Sequence, residues 1–144
     1  MNSVGEIRLK GYIFSRPIDG QLIPQRVQNL MLREYARRHH GLLLFSAAEY
    51  AMENCFMILE AELAALHAVD GMVFYSMRQL PGNAAQRDRL YDRLLRAGKR
   101  LHFALESFSV GTAGEVERLE DMLIIDRLAQ GDTLSRWLAP AAGA

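Results

Sequence analysis

Apolar positions follow two rhythms along this chain. Over residues 7–15 they mark a segment that stops at Arg16-Pro17, where proline removes a backbone donor and biases the residue before it away from helix. The segment predicts a first strand. After a loop over 18–23, Pro24 can open a helix in which Val27, Leu30, Met31 and Tyr35 recur at helical spacing. Arg37, Arg38, His39 and His40 suit the negative end of that helix, and Gly41 can close it. A second strand is expected over 42–47, then a helix marked by Phe56, Leu59, Leu63 and Leu66 with Asn54 as its cap. The stretch 71–76 is apolar without alternation, as a strand covered on both faces should be. Beyond a loop over 77–82, Asn83 caps a third helix carrying Leu90, Leu94 and Ala97, which leaves at Gly98 before a fourth strand over 101–105. Thr112 and Glu115 have capping-box spacing and open a long helix that runs to about Gln130, where Gly131 can end it.

Strands that alternate with helices predict an α/β domain, a parallel sheet of about four strands with helices on both faces; if their order is 2-1-3-4, it reverses between the first and third strands. The domain spans 1–131, and 132–144 form a tail whose one aromatic anchor is Trp137. On the long helix, Val116, Leu119 and Leu123 share one face, but Met122, Ile124, Ile125 and Leu128 spread around the cylinder. That excess predicts either a homodimer through this helix or a tail that folds back over it.

A length of 144 residues fits one domain, and 50% hydrophobic with 24% charged residues is the composition of a folded globular chain. Seventeen Lys and Arg offset seventeen Asp and Glu, so no net charge draws in a polyanion and the expectation is no nucleic-acid partner. Apolar runs reach about five residues where a membrane span needs roughly 20. The first residues lack the basic and apolar regions of a secretion signal, and Cys55 has no second cysteine to pair with, so a cytoplasmic protein with no membrane contact is expected. His39, His40, His67 and His102 make no metal-ligand spacing, and no glycine-rich phosphate loop follows the first strand. No metal and no cofactor are expected.

Ligands of open parallel sheets bind beyond the carboxyl ends of the strands, near the point where strand order reverses. The predicted tips present Ser15 and Arg16, Glu49 and Tyr50, Tyr75, Ser76 and Arg78, and Glu106. Ser15, Arg16, Tyr50 and Arg78, with Gln25 and Arg26 at the start of the first helix, are candidate substrate-binding residues, because guanidinium groups bind phosphate or carboxylate with paired donors. Glu49 or Glu106 is the candidate acid or base, and Tyr75 or Ser76 would position a hydroxyl. Arg16 and Arg78 could instead pair with Asp19, Glu49 or Glu106, and the serines could satisfy loop backbone.

The ordered blocks Gly11-Tyr-Ile-Phe-Ser-Arg-Pro-Ile, Pro24-Gln-Arg-Val-Gln-Asn-Leu, Ala48-Glu-Tyr-Ala-Met, Asp70-Gly-Met-Val-Phe-Tyr-Ser-Met, Leu80-Pro and Leu101-His-Phe-Ala-Leu-Glu resemble the bacterial sporadic carbohydrate cluster protein family over about residues 10–128. That resemblance implies a protein of sugar or surface-glycan biosynthesis, with a phosphorylated, carboxylated or nucleotide-linked sugar as ligand and no specified reaction; whether the protein is an enzyme stays open. The alternative it implies is a non-catalytic partner or regulator within a carbohydrate cluster. Gly11-Tyr12-Ile13, Gln25-Arg26, Leu32-Arg33-Glu34-Tyr35-Ala36 and Val73-Phe74-Tyr75-Ser76-Met77 resemble, more distantly, the catalytic domain of serine recombinases, a flavodoxin-like α/β domain followed by a long helix. Their nucleophilic serine would fall at Arg16, with Ser15 one position early, and Phe14 and Asn54 stand where two of their arginines would be. On those residues DNA strand exchange is the least expected activity, and shared fold without shared function is the expectation.

Overall fold

The computed structural model describes residues 6–131. The predicted tail, with Trp137, lies outside the described residues. In the sheet, β1 (Ile7–Phe14) is flanked by β2 (Gly41–Glu49) and β3 (Gly71–Phe74), both parallel to it, and β4 (Arg100–Phe103) continues the parallel sheet. A fifth strand, β5 (Phe108–Val110), runs antiparallel to β4 and gives the order β2-β1-β3-β4-β5. The expectation of about four parallel strands therefore needs correction by one short strand at the edge. Its three residues are too few to show a period, and the tight turn before it uses Ser107 at φ 53°. Only pairing with β4 makes it a strand.

Side-chain alternation divides the core between the two faces of the sheet. Leu9, Ile13, Val73 and Ala104 pack against Leu32, Tyr35 and Ala36 of α1 (Gln25–Arg38). On the other face Tyr12, Met72, Phe74, Leu101 and Phe103 meet α2 (Met57–Ala64), α3 (Ala84–Ala97) and α4 (Ala113–Ala129). Tyr12, Phe74 and Phe103 make an aromatic row across three strands, with ring centroids 4.7 and 5.7 Å apart. Helices cover both faces, as expected, but unequally. α1 lies alone on its side and the other three share the opposite one.

Local chemistry departs from the sequence pattern at three helix ends. Asn54 does not cap α2; it turns the chain at φ 58°, and the first-turn amides of Ile58 and Leu59 are met by the Glu49 carboxylate. Gly41 does not close α1, because it already begins β2, and His40 at φ 55° makes the turn. At α4 the Thr112 hydroxyl accepts from the Glu115 amide as predicted, but Glu115 reaches back to the Gly111 amide and to Arg100. A reciprocal box occurs instead at Ser76 and Gln79, around a 3-10 turn Met77–Gln79 that periodicity had left as loop.

β2 is an edge strand, and a bulge blunts it: the register against β1 slips between Leu9↔Leu43 and Gly11↔Ser46, so β2 carries one extra residue. Across the sheet the strands approach closely at Gly71, where an added Cβ would lie 2.5 Å from the Arg100 carbonyl oxygen. Gly71→Ala should therefore destabilise the protein by about 1–3 kcal/mol in urea unfolding, whereas Gly82→Ala, with open space around it, should change little.

A second prediction concerns pH. On the α1 face the Tyr35 hydroxyl lies 2.7 Å from His102 Nδ1, and burial, with Arg100 and His39 adding to it, pushes the His102 pKa down to about 4. An unfolded histidine titrates near 6.5, so the unfolded chain binds this proton first and stability falls as pH drops from about 6.5 to about 4. The expected loss is about 3 kcal/mol, checked by unfolding at stepped pH, and His102→Asn should flatten the slope in that window.

Candidate functional site

The strand tips converge at one end of the sheet on a cleft of about 870 Å³. Of the predicted residues, Arg16 and Arg78 line it, together with Phe14, Asp19, Asn54 and Arg127. Ser15, Gln25, Arg26, Glu49, Tyr50, Tyr75, Ser76 and Glu106 are not among its walls.

Arg16 is nearly buried, and Nη1 donates to the carbonyl oxygens of Tyr50 (2.9 Å), Met52 (3.0 Å) and Cys55 (2.9 Å). Its guanidinium carbon lies 4.1 Å from the Phe14 ring centroid and 5.1 Å from that of Phe56. None of the carboxylates weighed as its partner takes it; the cation folds the 50–55 loop around itself. Arg78 is held by a carboxylate that sequence reasoning missed, with Nε and Nη2 3.1 and 2.7 Å from the two oxygens of Asp126 on α4. Asp19 lies 3.7 Å from Arg78 and 3.0 Å from Arg127, so α4 is tied to the loop after β1. A spacing signal was present, since Asp126 lies seven residues after Leu119 on the same helix, but its partner is 48 residues away in sequence. Around the cleft Arg16, Arg78 and Arg127 are matched by Asp19, Glu53 and Asp126, which leaves no strong positive field.

The hydroxyls and acids named as catalytic candidates are engaged in structure. Ser15 donates to the Glu49 carbonyl, and Ser76 donates to Glu106 at 2.7 Å while accepting from the Arg78 amide. Glu106 also accepts from the Met77 amide at 3.0 Å; burial raises its pKa above the ordinary value despite these bonds. Glu49 accepts from the Tyr12 hydroxyl (2.7 Å) and from the amides of Ile58 (3.0 Å), Leu59 (3.0 Å) and Tyr50 (3.2 Å). Burial opposes its charge, but these donors win and hold its pKa below the usual carboxylate value. Tyr75 packs between the two core clusters, Tyr50 is half exposed, and Gln25 and Arg26 are exposed on α1.

Gln28 is a further residue that periodicity concealed. It sits on the buried face of α1, four residues before Leu32, and brackets the end of β1: Oε1 accepts from the Phe14 amide at 2.9 Å, and Nε2 donates to the carbonyls of Phe14 (2.9 Å) and Ile23 (2.8 Å). Gln28 and Gln79, which reaches the Tyr12 carbonyl at 3.4 Å, fix the strand tip from which Arg16 projects. Among the described residues no group of His, Cys, Asp and Glu could hold a metal ion, and no helix is long and apolar enough to cross a membrane.

Glu49→Gln tests the structural role assigned to this carboxylate. The amide would turn an NH₂ toward donors, and the variant should lose about 3 kcal/mol of unfolding free energy. Glu53→Gln, on the cleft wall, should lose almost none; equal losses would contradict the assignment.

In sequence, no family model and no curated protein matches the chain. In structure, the chain is similar to the N-terminal catalytic domain of TP901-1 integrase, with TM-score 0.58, 17% identity, and coverage of 85% of this chain and 97% of that one. It is also similar to a resolvase family site-specific recombinase from Streptococcus pneumoniae, with TM-score 0.60, 11% identity, and coverage of 85% and 90%. At these identities the likeness establishes the fold. The expected membership in a carbohydrate cluster family finds no support, and the expectations of sugar or glycan biosynthesis, of an anionic sugar ligand and of no nucleic-acid partner are overturned by neighbours that are recombination proteins. The net charge sums over the whole chain and does not describe any one of its surfaces. Over the described residues the chain has the α/β fold of resolvase catalytic domains, with a five-stranded, mostly parallel sheet and four α-helices.

Proposed function

We propose that this chain is a recombinase-fold domain that takes part in DNA transactions without cutting a strand. DNA enters as partner from the two solved neighbours, an integrase catalytic domain and a site-specific recombinase. The absence of cleavage comes from this chain's own residues. One observation carries that part: at the tip of β1, where a strand-cleaving hydroxyl would stand, the side chain is Arg16, bonded to three carbonyls. Ser15, one residue earlier, spends its hydroxyl on the Glu49 carbonyl. Phosphoryl transfer also needs positive charge free to meet the reacting phosphate, and Arg78 is already paired with Asp126.

The reading separates into two measurements. Fluorescence anisotropy with a labelled duplex should detect binding at 50 mM salt that weakens steeply toward 200 mM, as phosphate contacts do. With supercoiled plasmid, neither nicked product nor covalent protein-DNA adduct should accumulate, and Ser15→Ala should behave as the unaltered protein does. No binding at 50 mM salt would remove the DNA partner. An adduct trapped through Ser15 would overturn the non-cleaving assignment.

A further inference from the structure

Two helix surfaces carry unmatched groups. Along α1, Arg26, Leu30, Arg33 and Arg37 fall at helical spacing on one outward stripe, with Val27 beside it. Along α4, Glu117, Asp121, Ile125 and Leu128 do the same. Val27, Leu30, Ile125 and Leu128 are 42%, 56%, 66% and 52% exposed, so each stripe sets two large apolar side chains in water beside its charges. Arg26, Arg33, Glu117 and Asp121 are exposed and have no ion-pair partner among the described residues; Arg37 is shared with Glu34. A shallow groove of about 460 Å³ runs between α1 and the start of β2, lined by Leu30, Arg33, Arg37 and Leu42 among others.

The two stripes are complementary in order as well as in composition. Each spans the same separation in residues, about 16 Å at 1.5 Å per residue. Laid antiparallel, Arg37 meets Glu117, Arg33 meets Asp121, Leu30 meets Ile125 and Val27 meets Leu128. Arg26 then falls beside the carbonyl end of α4, where a cation is favoured. Apolar residues between the arginines argue for a protein surface over a phosphate backbone, which would gain nothing from Leu30 or Val27. Within one chain the pairing is impossible, because α1 and α4 pack on opposite faces of the sheet.

We infer that α1 of one copy docks on α4 of a second copy, antiparallel and head to tail. This contact differs from the symmetric α4 pairing expected from the sequence: it uses two different surfaces, so each copy offers one of each, and the assembly either closes into a ring or continues as a filament. It does not depend on the proposed DNA partner.

Light scattering of the eluting full chain at 20–200 μM tests it. The mass should exceed 16.3 kDa and rise with concentration. Arg33→Glu/Arg37→Glu should run as a monomer, and so should Glu117→Arg/Asp121→Arg, each with the circular dichroism spectrum of the unaltered protein. Mixed in equal amounts, the two variants should associate again, because every contact between unlike copies is then between opposite charges while like copies repel. Three outcomes would overturn the inference: a monomer in the unaltered protein at 200 μM, which is the result if the chain's own tail covers α4; loss of association only in the α4 variant, which is the signature of symmetric α4 pairing; or no recovery on mixing.

Discussion

Glu49, 1% exposed, ends the edge strand with its carboxylate among the Tyr12 hydroxyl and the amides of Tyr50, Ile58 and Leu59. A buried carboxylate is tolerated only when its lone pairs are filled, and here filling them joins β1, β2 and the first turn of α2 at one point. The intervening loop is then closed from the other side by Arg16, which collects the carbonyls of Tyr50, Met52 and Cys55. Anion and cation thus take complementary halves of the backbone polarity of one loop, amides to Glu49 and carbonyls to Arg16. The cleft wall, the position of Phe56 and the start of α2 all follow from that division.

This chain shares a fold with recombinase domains at low sequence identity. Layer packing depends on which face of each strand is apolar, and Leu9, Ile13, Tyr12 and Phe74 satisfy that requirement with little sequence identity to the neighbours. Chemistry depends on individual atoms at the strand tips. Arg16, bonded to three backbone carbonyls beside the tip of β1, braces the cleft wall and leaves the sheet intact. Arg78 and Arg127, held by Asp126 and Asp19, brace its other wall against α4.

A second ionic brace lies away from the cleft. Arg87, 3% exposed, forms a two-point contact with Glu120, both distances 2.9 Å, and gives Nη1 to the carbonyls of Pro81 and Gly82, while Tyr91 donates to the same carboxylate. Satisfying the whole guanidinium fork offsets the cost of burying it and fixes α3 against α4 on the crowded face. With α4 held inward by Leu119, Leu123 and Glu120, its opposite stripe is necessarily turned outward.

The sequence by itself determined the alternation of strands and helices, the caps at Asn83 and Thr112, and the left-handed exit at Gly98, because periodicity and local backbone chemistry act over a few residues. It also brought Arg16 and Arg78 to one cleft, through the general rule for strand tips. Tertiary structure alone decided what those residues do. Glu49 moved from candidate acid to helix anchor because its donors come from Tyr12 and from α2; Arg78 was neutralised by a carboxylate 48 residues away; β5 exists only because β4 is beside it. A side chain's type restricts its possible partners, but which partner it meets depends on contacts between distant segments, and no local pattern encodes those.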